Sequence, residues 1–319
     1  MLAAVVEQVR QSFGLRQKQD IQWAARYLAS TSRGIAMGDD CAAIADGDSY
    51  LLLAAEGLWP QFVSDEPWFA GWCGVMVNVS DIYAMGGTPI AVVDTLWCQS
   101  PAASAPLWEG LRAAANAYGV PIVGGHTNCH SPYDGLSVAI LGRATHPISS
   151  FTARPGDCLM VAVDLQGQRF KRYPFWNAAT QADPARLRSQ LALLPQLAEM
   201  ELCNSGKDIS MGGVLGTALM LLEASRVGAD LSMEAIPRPS DIPLSEWLHC
   251  FPSYGFLLSV SPPNAPTVRD LFLQQELSCE VVGTVAGDRQ VCLHSGQQSA
   301  LLWDFEREAL TGFAGESCP

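Results

Sequence analysis

Apolar positions along the chain follow two rhythms. Leu2, Val5, Val6, Val9 and Phe13 recur at helical spacing, which predicts an amphipathic helix, one of two ahead of residue 38. Residues 50–55 form a continuous apolar run of the buried-strand type, preceded by a shorter strand near Ala43. Pro67 then opens a long helix through Trp72, Val75, Met76 and Val79 to Met85, where Gly86-Gly87 supplies the left-handed stop. Residues 88–97 read as a strand, Ser104 as the cap of a helix reaching Tyr118, and residues 121–123 and 136–141 as short strands.

The stretch 143–147 has no periodicity and reads as a linker. Beyond it, Pro155-Gly156-Asp157 is a turn feeding a strand over 158–163, and Asp183-Pro184 pairs an N-cap with proline at the first helical position. Gly212-Gly213 starts a helix through Leu219 and Leu222. Strands near Ala229 and over 255–260 and 281–285 complete the pattern, and the tail after Glu306 is expected to be mobile. Two α+β domains are expected, residues 1–147 and 148–319.

Composition narrows the partners. The 319 residues are 49% hydrophobic and 16% charged, enough apolar material for buried sheets and an interface. A net charge of −13 opposes binding to nucleic acid or an anionic membrane. No apolar run approaches the ~20 residues that span a bilayer, and the first residues lack a signal-peptide pattern. The ten cysteines are scattered, with no Cys-x-x-Cys pair, as in a reduced, cytoplasmic protein.

Acidic groups beside glycine carry the candidate chemistry. Gly38-Asp39-Asp40 places two adjacent carboxylates at a turn, favourable together when exposed or neutralised by a cation; taken alone, the pair is read first as an ordinary acidic turn. Glu56 ends an apolar strand at Gly57. Asn78, Ser80 and Asp81 lie in an apolar helix, where unpaired burial would cost several kcal/mol, and Asn78 shares a face with Asp81. Gly124-Gly125-His126-Thr127 permits close backbone approach to an anion after a strand. Asp208-Ile209-Ser210 precedes Gly212-Gly213 at a helix start, whose free N–H groups suit phosphate. Lys207 beside them could add a positive charge there, although an exposed, solvated lysine is the expected role.

Taken in order, these motifs resemble the ATP-binding superfamily of aminoimidazole ribonucleotide (AIR) synthase, thiamine-monophosphate kinase, selenophosphate synthetase and the hydrogenase maturation factor. They are Gly38-Asp39-Asp40 with Ala42-Ala43-Ile44, Glu56-Gly57-Leu58, Asn78 through Pro89, Gly124-Gly125, Pro155-Gly156-Asp157, and Asp208-Ile209-Ser210 with Gly212-Gly213. The nearest likeness is to AIR synthase-related proteins of unassigned reaction. The resemblance implies a homodimer that pairs its N-terminal sheets, and a site for ATP and Mg²⁺, with Mn²⁺ as an alternative. It implies that Asp39, Asp40, Glu56, Asp81 and Asp208 ligate or orient metal. Gly38, Asn78, Gly124, Gly125, Thr127, Ser210 and Gly212 would hold the nucleotide, and Asp81, Asp208 and His126 would serve catalysis.

Two positions depart from the pattern. His126 stands where many relatives have the acid of Gly-Gly-Asp-Thr, and Met211 where kinase-like members have an aspartate. Imidazole and thioether are poor ligands for Mg²⁺. His126 suits substrate binding, acid–base work near neutral pH or a plain structural role. Cys318 has the look of an incidental tail cysteine. The implied activity is ATP-dependent phosphorylation of an amide-type or other oxygen of a small molecule. The alternatives are ATP-driven dehydration of an amide or thiocarbamate, and nucleotide binding without catalysis.

Overall fold

The computed structural model describes residues 2–28, 32 and 35–313. The chain separates into two compact units that are not its two halves. One comprises residues 1–40, 148–178 and 197–319; the other comprises 41–147 and 179–196. The break after residue 147 falls at the expected linker, but the first forty residues join the unit built mainly from the second half.

The chain begins in that larger unit with α1 (Leu2–Arg10) and α2 (Phe13–Leu28). Leu2, Val9 and Leu15 enter one apolar core with Val291, Leu293, Leu302 and Trp303, which is why these helices belong there. Arg10 reinforces the contact: it donates to the Leu302 carbonyl and lies 4.3 Å over the Trp303 ring.

The smaller unit follows: β1 (Ala42–Asp46), β2 (Ser49–Gly57), α3 (Pro60–Asp65), α4 (Pro67–Ala84), β3 (Thr88–Trp97), α5 (Pro101–Tyr118), β4 (Ile122–Asn128) and β5 (Gly135–Ala144). The strands make a five-stranded sheet of order β1-β2-β5-β3-β4, with only β3–β4 parallel. Leu52, Val92, Leu96, Val138 and Ile140 are buried on its inner face. Helices α4 and α5 approach backbone to backbone: a Cβ on Gly71 would strike the Leu107 carbonyl, and one on Gly110 the Trp68 carbonyl. Leu53 and Val93, on the opposite face, remain 47% and 42% exposed.

Two local expectations change here. Ser100 rather than Ser104 caps α5, accepting from the Ala103 amide at 3.2 Å, because Pro101 fits the first helical position. Glycines 124 and 125, with His126 and Thr127, lie within a strand and not in a loop after one. Parallel pairing of β4 with residues 93–97 of β3 supplies the ladder that outweighs low glycine propensity. Arg188, on α6 (Pro184–Leu191), reaches back to the Ala117 carbonyl at 2.7 Å and satisfies the end of α5. As its Asp-Pro start predicts, α6 is capped by Asp183.

The larger unit resumes with β6 (Cys158–Val163), the short β7 (Gln168–Arg169) and β8 (Trp176–Asn177). After α7 (Leu193–Glu199) come β9 (Ser205–Asp208), α8 (Gly213–Ala224), β10 (Gly228–Ser232), α9 (Leu244–Trp247), β11 (Gly255–Val260), α10 (Ala265–Gln274), β12 (Ser278–Ala286), β13 (Gln290–Ser295) and β14 (Gln298–Asp304). Seven of these strands form a sheet of order β14-β13-β10-β12-β6-β11-β9.

The segment after Glu306 is fastened rather than mobile as far as Phe313. Gln22 donates to the carbonyls of Ala309 and Leu310, both at 2.9 Å, and Glu223 accepts the amides of Leu310 and Thr311. Cys318 lies outside the described residues.

Candidate functional site

In the larger unit the acidic turn docks on β9. Gly38 adopts φ +109°, a region that disfavours any side chain, and a Cβ there would stand 2.5 Å from that of Phe313. Asp39 turns back to the segment after the linker. Its oxygens accept from Ser149 Oγ at 2.7 Å, Ser150 Oγ at 2.5 Å and the Ser150 amide at 3.0 Å. Burial pushes the Asp39 carboxyl above its ordinary pKa, against the pull of the Lys207 charge and the serine hydrogen bonds.

Asp40 faces β9. One oxygen contacts the Lys207 ammonium and the other accepts the Asp208 amide at 3.1 Å. Lys207 is therefore buried, 2% exposed, and not the solvated lysine expected from sequence. Burial alone would drive its pKa down, but Asp40, Asp39 and Asp208 hold it above the ordinary lysine value. The pair resolves the burial problem of both partners, since neither charge is left uncompensated.

Past Asp208, itself 4% exposed, the chain turns into α8. Thr217 Oγ1 lies 3.4 Å from the Asp208 carbonyl and accepts the Ser210 amide at 3.3 Å. The Ser210 hydroxyl is buried without a hydrogen-bond partner among the described residues. Gly212 is the N-cap and Gly213, at φ +62°, the first helical residue, as the glycine pair predicted. Met211 turns its carbonyl to α2, where a Cβ on Gly14 would strike it.

The remaining candidates lie in the smaller unit. Asn78, Ser80 and Asp81 sit in α4 at 0%, 2% and 6% exposure. Asn78 Nδ2 donates to the Gly74 carbonyl at 2.8 Å, while Asn78 Oδ1 and Ser80 Oγ have no hydrogen-bond partner among the described residues. Such orphaned polar atoms are costly in a finished core and fit a site that takes a ligand. Glu56 is exposed near the end of β2; Gly124, Gly125, His126 and Thr127 are exposed on β4. One buried acid escaped the sequence reading: Asp94 on β3, 4% exposed, pairs in register with Gly125. Burial raises its pKa, and its Oδ1 has no hydrogen-bond partner among the described residues.

Carboxylate oxygens are the right donors for a hard cation such as Mg²⁺. Within the larger unit, however, Asp39 has both oxygens on serines and Asp40 has one on Lys207, while a carboxylate oxygen of Asp40 and one of Asp208 lie within 4.8 Å of each other. What the turn can do is hold a fixed array of charge beside the Ser210 hydroxyl and the start of α8.

Comparisons with known proteins agree with this architecture. Residues 38–144 match the AIR synthase related protein N-terminal domain, and residues 154–294 match the AIR synthase related protein C-terminal domain. The uncharacterised protein sll0787 of Synechocystis is 50% identical over 99% of this chain and 100% of its own length. AaThiL complexed with AMPPCP and TMP superposes with a TM-score of 0.68 at 20% identity, over 88% of this chain and 96% of that one. The T. maritima PurL complexed with ATP gives 0.73 at 19% identity over 96% of this chain, which spans about half (53%) of that protein. The two structural likenesses establish the fold, a two-domain α+β arrangement. Among the described residues, no helix is long and apolar enough to cross a membrane. The chain belongs to the AIR synthase related family, whose members include ATP-dependent kinases and synthases.

Proposed function

We propose that the chain is an ATP-dependent enzyme that transfers the γ-phosphoryl group to an oxygen of a small molecule, an amide oxygen being the leading candidate. The observation that carries this reading is the acidic turn ordered on β9. Asp40 is locked to Lys207 and to the Asp208 amide, directly before the unpartnered Ser210 hydroxyl and the α8 N-terminus. Free N–H groups at a helix start suit phosphate oxygens. Phosphoryl transfer needs little from a protein beyond positioning and a fixed field, and a buried, fully bonded charge array supplies both.

Within this reading Ser210 and the Gly212 amide meet phosphate, the Gly213 amide being held by the Ser210 carbonyl at 2.8 Å, and Asp208 orients the transferring group. Asp39 positions the turn through Ser149 and Ser150. Asn78 and Ser80, with their unfilled acceptor and hydroxyl, and Asp81 beside them are the polar groups that α4 offers a ligand. Gly124, Gly125 and Thr127 offer exposed strand backbone, with His126 contacting substrate. Mg²⁺ carried on the nucleotide would neutralise charge on the phosphates; Glu56 is the exposed acid of the set.

The protein would act as a homodimer through the outer face of the five-stranded sheet. Leu53, Ala55, Val93, Ala139 and Leu141 share that face by register, and the helices of the smaller unit cover only the other. An uncovered apolar sheet face of this kind fits a second copy.

Binding without turnover is the second reading, favoured by His126 and Met211 at two positions where the resemblance leads one to expect acids. Calorimetry with ATP and Mg²⁺, followed by an ADP-release assay over a panel of small amides, decides between them. Binding with release supports the enzyme, and binding with no release from any amide supports the second reading. Absence of ATP binding with Mg²⁺ or Mn²⁺ refutes both.

A further inference from the structure

Lys207 is a buried cation in the middle of acids that the resemblance assigns to metal ions. The Lys207 and Asp40 side chains are 3% and 5% exposed. Asp40 turns its other oxygen to the Asp208 amide, and Asp39 has both oxygens on Ser149 and Ser150. Asp39, Asp40 and Asp208 all act on the Lys207 charge. A divalent ion approaching Asp40 would have to displace an ammonium held in a poorly screened interior, or sit beside it against like-charge repulsion.

The rest of the sequence shifts in the same direction. Two positions where acids are expected carry His126 and Met211, neither a ligand for a hard cation. A chain that lacks acids at those two positions and holds an internal cation beside Asp40 is balanced for fewer metal ions. Lysine also differs from a metal in kind: it is tethered, it needs no uptake, and it brings one charge instead of two.

We propose that Lys207 is the resident cation of the Asp39–Asp40–Asp208 turn, serving in place of one divalent ion, so that nucleotide is handled with one metal ion fewer. The purpose of that charge rests on the ATP reading; the substitution of ammonium for metal does not. It is tested without nucleotide, by titrating Mn²⁺ into the full-length protein and following free Mn²⁺ by electron paramagnetic resonance.

Lys207→Met is expected to take up one more Mn²⁺ than the wild type, about tenfold or more tighter than any wild-type uptake. Lys207→Arg should behave as wild type, and the double variant Asp40→Asn/Lys207→Met should lose the added ion. Equal uptake by wild type and Lys207→Met overturns the proposal. So does wild-type uptake that Asp40→Asn abolishes, an arm that stands even where Lys207→Met fails to fold. Because no ATP is present, these outcomes are independent of the calorimetry that tests nucleotide binding.

Discussion

Replacing Glu223 by glutamine turns one acceptor oxygen into a donor nitrogen at a carboxylate that is surrounded by donors. Glu223 is 2% exposed on α8. One oxygen accepts the Leu310 amide at 2.7 Å and, more weakly, the Gly312 amide at 3.4 Å; the other accepts the Thr311 amide at 2.7 Å and its hydroxyl at 2.6 Å. Whichever way the glutamine amide is turned, its NH₂ faces at least one backbone N–H now held by a short bond. Hydrogen bonds to a charged group are worth about 1.5–3 kcal/mol each, against about 1 for neutral ones. Losing one and weakening the others puts the cost at about 3 kcal/mol.

That cost falls on the segment and not on the whole unit, because residues 308–313 can undock while the sheet persists. At 1.4 kcal/mol per tenfold, the Leu310 and Thr311 amides of Glu223→Gln should exchange with solvent deuterium about 10²-fold faster. Amides of β11 should keep their protection. Exchange at Leu310 and Thr311 within a few-fold of wild type would refute the reasoning, since it would mean the carboxylate does not hold the segment.

Three further outcomes are expected. Gly110→Ala drives a methyl into the Trp68 carbonyl and should cost about 1–3 kcal/mol, read as a lowered midpoint in urea unfolding; an unchanged midpoint would show that α4 and α5 can part freely. Val93→Asp places a charge on the uncovered sheet face, and light scattering should find a dimeric wild type and a monomeric variant; equal masses would remove the sheet-pairing proposal. Asp94 binds its proton more tightly folded than unfolded, so it subtracts stability as pH rises from the ordinary carboxyl range through its raised value. Asp94→Asn lacks that loss and should gain on the wild type as pH rises to neutrality, whereas a pH-independent difference in unfolding free energy would contradict the burial argument.

Much of the fold was legible because it is written locally. The apolar run of β2, the Pro67 start and Gly86 stop of α4, and the Asp183-Pro184 start of α6 each follow from neighbouring residues. The order of the acidic motifs named the family for the same reason. Lys207 was not legible: a lysine reads as surface until its partner is known, and Asp40 is 167 residues away. The Glu223 latch and its targets are separated by 87 to 89 positions, and no periodicity links them. Gly124-Gly125 misled in the opposite way, since two glycines argue for a loop and only the ladder from β3 makes them strand. Ser149 and Ser150 carry no signal beyond following the linker, although they hold Asp39.

The placement of the first forty residues also sets an order of events during synthesis. The smaller unit draws all five of its strands from one contiguous stretch, 42–144, and can condense while the ribosome is still at work. Helix α1 has no such option. Part of its apolar stripe belongs against β13, which begins 280 residues after α1 ends (Gln290 against Arg10). At ~5–20 residues per second the wait is roughly 15–55 s, during which the part of that stripe that packs on β13 and β14 lacks its native partner. The nascent chain should therefore be most dependent on chaperones through its first helix, and a chain halted before β13 should carry that helix as its aggregation-prone end.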